Sequence, residues 1–225
     1  FTIIDPEVHT LSAVDDGALV HQGTLLATAT GSARSLLAAE RVALNLLGQL
    51  SGVATATREL ADRIADTGAS LVDTRKTVPG LRALQKSAVL AGGGENHRMG
   101  LYDAVLIKDN HIAVSGSAEA AVKQARSKIG SDVTIEIEIE SVEELETVIN
   151  AGADVVMLDN MSTEEMATAV LLADGRCRLE ASGGITMTTI REVAETGVDM
   201  ISVGWLTHSA PALDVALELD YIEPY

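Results

Sequence analysis

Residues 133–141 read VTIEIEIES, with Ile135, Ile137 and Ile139 alternating strictly against Glu136, Glu138 and Glu140. A period of two marks a strand that is apolar on one face and carries carboxylates on the other. On an antiparallel sheet such carboxylates would face water. The surroundings of the stretch argue otherwise. Strand-like runs recur at 70–73 (SLVD), 104–108 (AVLIK), 134–139 (TIEIEI), 155–158 (VVML), 178–181 (RLEA) and 200–203 (MISV). Amphipathic segments such as VEELETVINAG and MTTIREVAETG separate them, each closing on a glycine as helix C-termini do. Strand and helix in alternation predict parallel βαβ units, and six of them suit a barrel or a doubly wound sheet. In a parallel sheet covered by helices the isoleucines must meet the helices, so the glutamates turn inward, where carboxylates need cations. Lys76 and Lys108, at the ends of other strands, are the expected partners, together with a metal ion. Glu136, deepest of the row, is expected to be the structural partner of a lysine.

The strand ends favour a barrel. They carry Asp73-Thr74-Arg75-Lys76, Lys108-Asp109-Asn110, Glu138 and Glu140, Asp159-Asn160, Ser182-Gly183-Gly184 and Gly204. In a barrel of parallel strands these ends converge on one mouth, where active sites form. The turns SGGIT (182–186) and GWLTHS (204–209) follow the last two strands, the usual place for backbone amides that bind phosphate. Ahead of the barrel, FTIIDPEVHTLSAVDDGALVHQGTLLATATG reads as a small sheet broken by turns, and SLLAAERVALNLLGQLSG as a helix leading out of it. The chain opens inside a strand-like run without an initiator Met, so a further N-terminal portion of that small domain is expected outside this chain.

Composition narrows the function. The 225 residues carry a net charge of -17 and only five aromatics, which argues against wrapping nucleic acid or stacking on bases. The single Cys177 excludes a disulfide framework and suits a reducing cytoplasm, and no apolar run has the length of a membrane span. The charge is uneven. Between Arg75 and Asn110 six basic groups (Arg75, Lys76, Arg82, Lys86, Arg98, Lys108) face three acidic ones, leaving +3 here and -20 elsewhere. A basic island in an acidic protein points to a small anionic ligand. Arg75, and Arg98 beside His97, can grip carboxylates in a bidentate fork, whereas Lys76 and Lys108 act as point charges. Arg41 fits either a surface or a functional role at this level. His111 is a candidate supporting group beside Lys108, and no histidine pair has the spacing of a metal site.

These residues resemble the quinolinate phosphoribosyltransferase family. The resemblance rests on AERVALNLLGQLSGVAT (39–55), DTRKTVPGLRALQK (73–86), GGGENHRMGLYDAVLIKDNH (92–111), EIEIES (136–141), MLDN (157–160), ASGGI (181–185) and VGWLTHS (203–209). It implies an open-faced, TIM-like parallel α/β barrel over residues 39–209, the remainder of an N-terminal α/β sandwich domain over 1–38, and a tail over 210–225 packing back on the sandwich. It implies transfer of phosphoribose from phosphoribosyl pyrophosphate to quinolinate, with release of pyrophosphate and carbon dioxide, by a magnesium-using homodimer. By the same resemblance Arg41, Arg75, His97 and Arg98 would hold the quinolinate carboxylates with Lys76 beside them. Lys108 would neutralise pyrophosphate, and Glu138 and Asp159 would hold the ribose hydroxyls and magnesium. Ser182, Gly183, Gly184, Gly204 and His208 would cradle the 5-phosphate. The chain departs from the family at Trp205, where a small residue is commoner. It also shows no counterpart of a family arginine, in the N-terminal portion, that reaches into the partner's site. A molybdenum-associated paralogue of the same fold, a Schiff-base aldolase using Lys76 or Lys108, and a non-catalytic binding domain are the alternative readings.

Overall fold

The computed structural model describes residues 1–220. An antiparallel pair, β1 (His9–Ser12) and β2 (Ala27–Thr30), precedes the long α1 (Ala33–Ile64). There follow β3 (Ser70–Val72), α2 (Arg82–Ala91), β4 (Val105–Ile107), α3 (Asp109–Ser115), α4 (Ala118–Ile129) and β5 (Ile135–Ile139). The second half comprises α5 (Leu145–Ala151), β6 (Val155–Asp159), α6 (Thr163–Ala173), β7 (Arg178–Ser182), α7 (Ile190–Glu195), β8 (Met200–Ser202) and α8 (Trp205–His208). Serines start several helices in the expected way: Ser32, Ser117 and Ser162 each accept a backbone N–H of the first turn. No helix among the described residues is long and apolar enough to cross a membrane.

Six parallel strands stand in the order β3-β8-β7-β6-β5-β4. From β4 to β8 every strand lies beside the next in sequence, so the chain winds in one direction, as in a barrel and not as in a doubly wound sheet. The sheet is open between β3 and β4 and is extended only by a single bridge from Val72 to Glu95. This is the expected open-faced barrel. Register explains its two cores. Ile135, Ile137 and Ile139 are buried with Val156, Leu158, Leu179, Ala181 and Ile201 against the helices. The alternate residues face the lumen, where Val72, Val155 and Met200 form a small apolar floor. Glu136 pairs in register with Val155, Glu138 with Met157, Met157 with Glu180, and Asp159 with Ser182, which places these polar groups on that inner face. Glu140 lies beyond β5 and is exposed, so two carboxylates of the row enter the lumen, not three.

The helix read in SLLAAERVALNLLGQLSG runs on past Gly52 to Ile64. Gly48 and Gly52 serve a different purpose from breaking it. A Cβ at Gly52 would stand 1.9 Å from the Pro211 carbonyl oxygen, and one at Gly48 would stand 2.7 Å from that of Leu213. The two glycines let the C-terminal segment lie against the helix, where the Leu213 N–H donates to the Gly48 carbonyl at 2.9 Å. Residues 221–225 of the expected tail lie outside the described residues.

One buried ion pair fixes the mouth. Asp73, at the end of β3, is 0% exposed and receives the ammonium of Lys86, 1% exposed on α2. Burial pushes the Asp73 carboxyl above its ordinary value, while Lys86 and the His97 amide pull it back. The same pair seizes the loop that follows α2: the His97 N–H donates to Asp73 at 2.9 Å and Lys86 donates to the His97 carbonyl at 2.8 Å. Replacing Lys86 by Met should strand the carboxylate and cost about 3–5 kcal/mol. Urea unfolding measures this. A loss below about 1 kcal/mol would show that the pair does not brace the fold.

Candidate functional site

Four positive groups of the basic island remain at the mouth after the other two are spent on structure. Lys86 is consumed by Asp73. Arg82 donates to the carbonyls of Met99 at 3.2 Å and Arg75 at 3.3 Å, and to the Thr77 hydroxyl at 3.0 Å. It thereby ties the loop bearing Arg75 to the loop bearing Arg98. Arg75, Lys76, Arg98 and Lys108 are then left around the opening, as expected.

The two arginines are like-charged neighbours, and one of them has an unsatisfied donor. Burial and then the neighbouring Arg75 charge hold Arg98 below the usual arginine range, against the pull of Glu136 and Asp103. Its guanidinium is steadied by the carbonyls of Gly100 and Ala104, both at 3.3 Å. The Nε of Arg75 is buried without any hydrogen-bond partner. A buried cationic donor left unpaired is costly, and two such groups repel each other. Together they suit a ligand bearing two carboxylates.

His97 is placed differently from expectation. Its Nε2 lies 2.9 Å from Glu136 Oε2 and 3.2 Å from Glu180 Oε2, and its Nδ1 accepts the Arg98 N–H at 2.8 Å. Both ring nitrogens are thus engaged within the protein, leaving none free for a substrate carboxylate. Burial lowers the basicity of the ring, but the closeness and charge of Glu136 and Glu180 outweigh it, so the proton on Nε2 is held firmly. Glu136 consequently pairs with a histidine and not with a lysine, because the buried lysine is already committed to Asp73. Its carboxyl is pushed up by burial and by Glu180, and pulled back by His97.

Spacing in sequence hid this cluster. Among the described residues, His97, Glu136 and Glu180 are the one group of three potential ligands whose atoms lie within 4.8 Å of one another. Glu180 is missed altogether by sequence reasoning, since a lone acid in RLEA carries no signature. It is 0% exposed.

Higher in the lumen Glu138 receives the Lys108 ammonium, as expected. Asp159 accepts from the Asn160 amide at 2.7 Å. Both are oxygen donors on neighbouring strands, a set that fits a hard cation shared with a polyanionic substrate. His111 accepts the Lys108 N–H at 2.9 Å, so it supports Lys108 by capping α3. Lys76 makes no ion pair among the described residues, and its stem lies against Gly204: a Cβ there would stand 3.1 Å from Lys76 Cδ and 3.7 Å from His208 Nε2.

The two small-residue turns are built for close approach. Gly183 (φ 99°) and Gly184 (φ 60°) are left-handed, and a Cβ on Gly183 would collide with the Asn160 amide at 2.2 Å. Trp205 spans the turns, donating from Nε1 to the Ile185 carbonyl at 3.0 Å. Thr207 donates to the Lys76 carbonyl at 2.7 Å, and the buried Gln85 amide donates to the Thr207 carbonyl. Sequence reasoning missed this bracing by α8.

Arg41 stands apart. Its side chain is 74% exposed on α1 and pairs at 3.7 Å with Glu40, and no hydrogen bond or ion pair among the described residues joins it to the strand ends.

Comparison with known proteins follows this geometry. Residues 2–51 match the quinolinate phosphoribosyl transferase N-terminal domain, and residues 53–218 match the C-terminal domain. The chain is 47% identical over 219 residues to the probable nicotinate-nucleotide pyrophosphorylase [carboxylating] of Bacillus subtilis, covering 97% of this chain and 76% of that protein. It is 40% identical over 238 residues to quinolinate phosphoribosyltransferase [decarboxylating] 2b of Nicotiana tabacum, covering 98% and 67%. The crystal structure of NadC from Streptococcus pyogenes superposes with a TM-score of 0.90 at 45% identity, over 95% of this chain and 75% of that one. A NadC deletion mutant superposes with a TM-score of 0.94 at 44% identity, over 99% and 79%. This chain belongs to the quinolinate phosphoribosyltransferase family.

Proposed function

We propose that the chain transfers phosphoribose from phosphoribosyl pyrophosphate to quinolinate and releases carbon dioxide and pyrophosphate, forming nicotinate mononucleotide for NAD biosynthesis. The observation that carries this reading is the Arg75–Arg98 pair, with its buried, unpartnered Nε, facing a lumen of carboxylates. Quinolinate brings two carboxylates to two guanidiniums, and Lys76 stands at the same rim.

The chemistry divides between the two signs of charge. Loss of pyrophosphate from the sugar builds positive charge at the anomeric carbon and negative charge on the leaving group. Glu138 stands where it can stabilise the first. Lys108, paired with it, supplies a cation for the second. Asp159 accepts a ribose hydroxyl. The turns at Ser182-Gly183-Gly184 and Gly204, with His208, hold the 5-phosphate, and Trp205 keeps the two turns together. Magnesium would be held by Glu138 and Asp159 and would neutralise phosphate charge.

Arg41 enters through a second copy of the chain. Leu37, one turn before it on the same side of α1, is exposed as well, so an apolar group flanks the arginine. A homodimer that covers this face would deliver Arg41 to the neighbour's mouth. The free thiol of Cys177 suits the cytoplasm as the compartment of the reaction.

Incubation of the protein with quinolinate, phosphoribosyl pyrophosphate and magnesium should yield nicotinate mononucleotide, while nicotinate in place of quinolinate should react poorly. Equal use of both would contradict recognition of two carboxylates. Arg98→Ala should weaken quinolinate binding by about 2–5 kcal/mol and leave phosphoribosyl pyrophosphate binding nearly unchanged, as titration of each ligand would show. In contrast, Glu138→Gln and Asp159→Asn should keep quinolinate affinity and lower kcat by about 10²–10³-fold. Single-turnover kinetics with an unchanged chemical step would remove both from the reaction.

A further inference from the structure

Asp73, Lys86, Glu136 and Glu180 are all buried, and all four converge on His97. The first two clamp its main chain, at the N–H and at the carbonyl. The other two lie on the Nε2 edge of its ring. Glu180 has no hydrogen bond to either oxygen, and Glu136 none to Oε1. A core selected for stability alone would fill these positions with apolar side chains, because a buried carboxylate without partners is unfavourable. The mechanism above uses neither glutamate.

The ring links them to the substrate side. Glu136 and Glu180 hold the ring by its Nε2 edge, at 2.9 and 3.2 Å. So held, the ring presents Nδ1 to the Arg98 N–H at 2.8 Å. A ring turned out of this position would release that amide and the peptide that carries it. The direction of the Arg98 backbone decides whether its guanidinium reaches the place beside Arg75. Asp73, Lys86 and Arg98 are the other charged residues that touch His97, and each of them already has the task described above.

We propose that Glu136 and Glu180 are positioning residues for substrate recognition: by fixing the orientation of the His97 ring they aim Arg98 at a carboxylate of quinolinate. The proposal rests on the reading of this site as a quinolinate pocket. Its physical logic is that of a carboxylate which orients a functional histidine through one ring nitrogen so that the other can act.

Glutamine at either position tests it, because an amide can donate to Nε2 and so releases the constraint. Glu136→Gln and Glu180→Gln should each raise the KM for quinolinate about ten- to a hundredfold, the scale on which partners of functional histidines act, while the KM for phosphoribosyl pyrophosphate stays within about twofold. A merely structural role would lower the melting temperature and the active fraction without separating the two KM values. That result, or unchanged KM values for both substrates, would overturn the proposal. Should either variant fail to fold, the wild-type ring decides. Long-range ¹H–¹⁵N correlation spectra of unliganded protein at neutral pH should show His97 protonated on Nε2. A ring bare on Nε2 would overturn the proposal. Because the spectrum requires no substrate, it is independent of turnover. Absence of product from the wild-type protein would instead count against the proposed function itself.

Discussion

The buried contact between Asp73 and Lys86 is the constraint on which the rest of the site depends. It joins the end of β3 to α2, and through the His97 amide and carbonyl it pins a loop that has no regular structure of its own. Without it the 95–98 segment would be held by the bridge from Glu95 to Val72 and by the contacts of the His97 ring with Glu136 and Glu180. Ordering a loop residue costs backbone entropy. Here that cost is met in the folded protein, before any ligand arrives, which is how preorganised sites gain affinity.

Preorganisation explains why two guanidiniums can share one opening. Arg75 and Arg98 repel each other, and a flexible loop would let them separate. Arg82 prevents this by holding both of their loops through backbone carbonyls. Glu136 and Glu180 lie behind the pair and supply countercharge that does not occupy the mouth. The pair thus keeps one unpaired donor, Arg75 Nε, beside a second guanidinium, an arrangement that suits a dianion. Lys108 and Glu138, by contrast, neutralise each other.

Much of this architecture was legible in VTIEIEIES and its surroundings. The alternation requires an inner and an outer face, and all six strands fall within a residue or so of the runs that predict them. Charge placement also marked Arg75, Lys76, Arg98 and Lys108 as the mouth. What was illegible depends on contacts between distant segments. Nothing in LQKS distinguishes Lys86 as a buried lysine, since helical periodicity does not reveal that a carboxylate waits beneath it. Glu180 reads as an ordinary strand acid until β6 and β8 enclose it. The residues 97, 136 and 180 have no common spacing, because the closure of the sheet, not one helix or turn, brings them together. The purpose of Gly52 was illegible for a related reason: it permits the close approach of Pro211, a residue far along the chain.

The central claim is that the arginine-bearing loop is fixed before substrate binds. Amide hydrogen exchange of the unliganded protein tests it most directly, at the His97 N–H held by Asp73 and the Arg98 N–H held by the His97 ring. Buried hydrogen bonds within a stable unit exchange only when that unit opens. The account predicts protection of both amides comparable to that of the β3 amides. Exchange at the rate of exposed loop amides would show that the loop is ordered by the substrate, and would contradict the account.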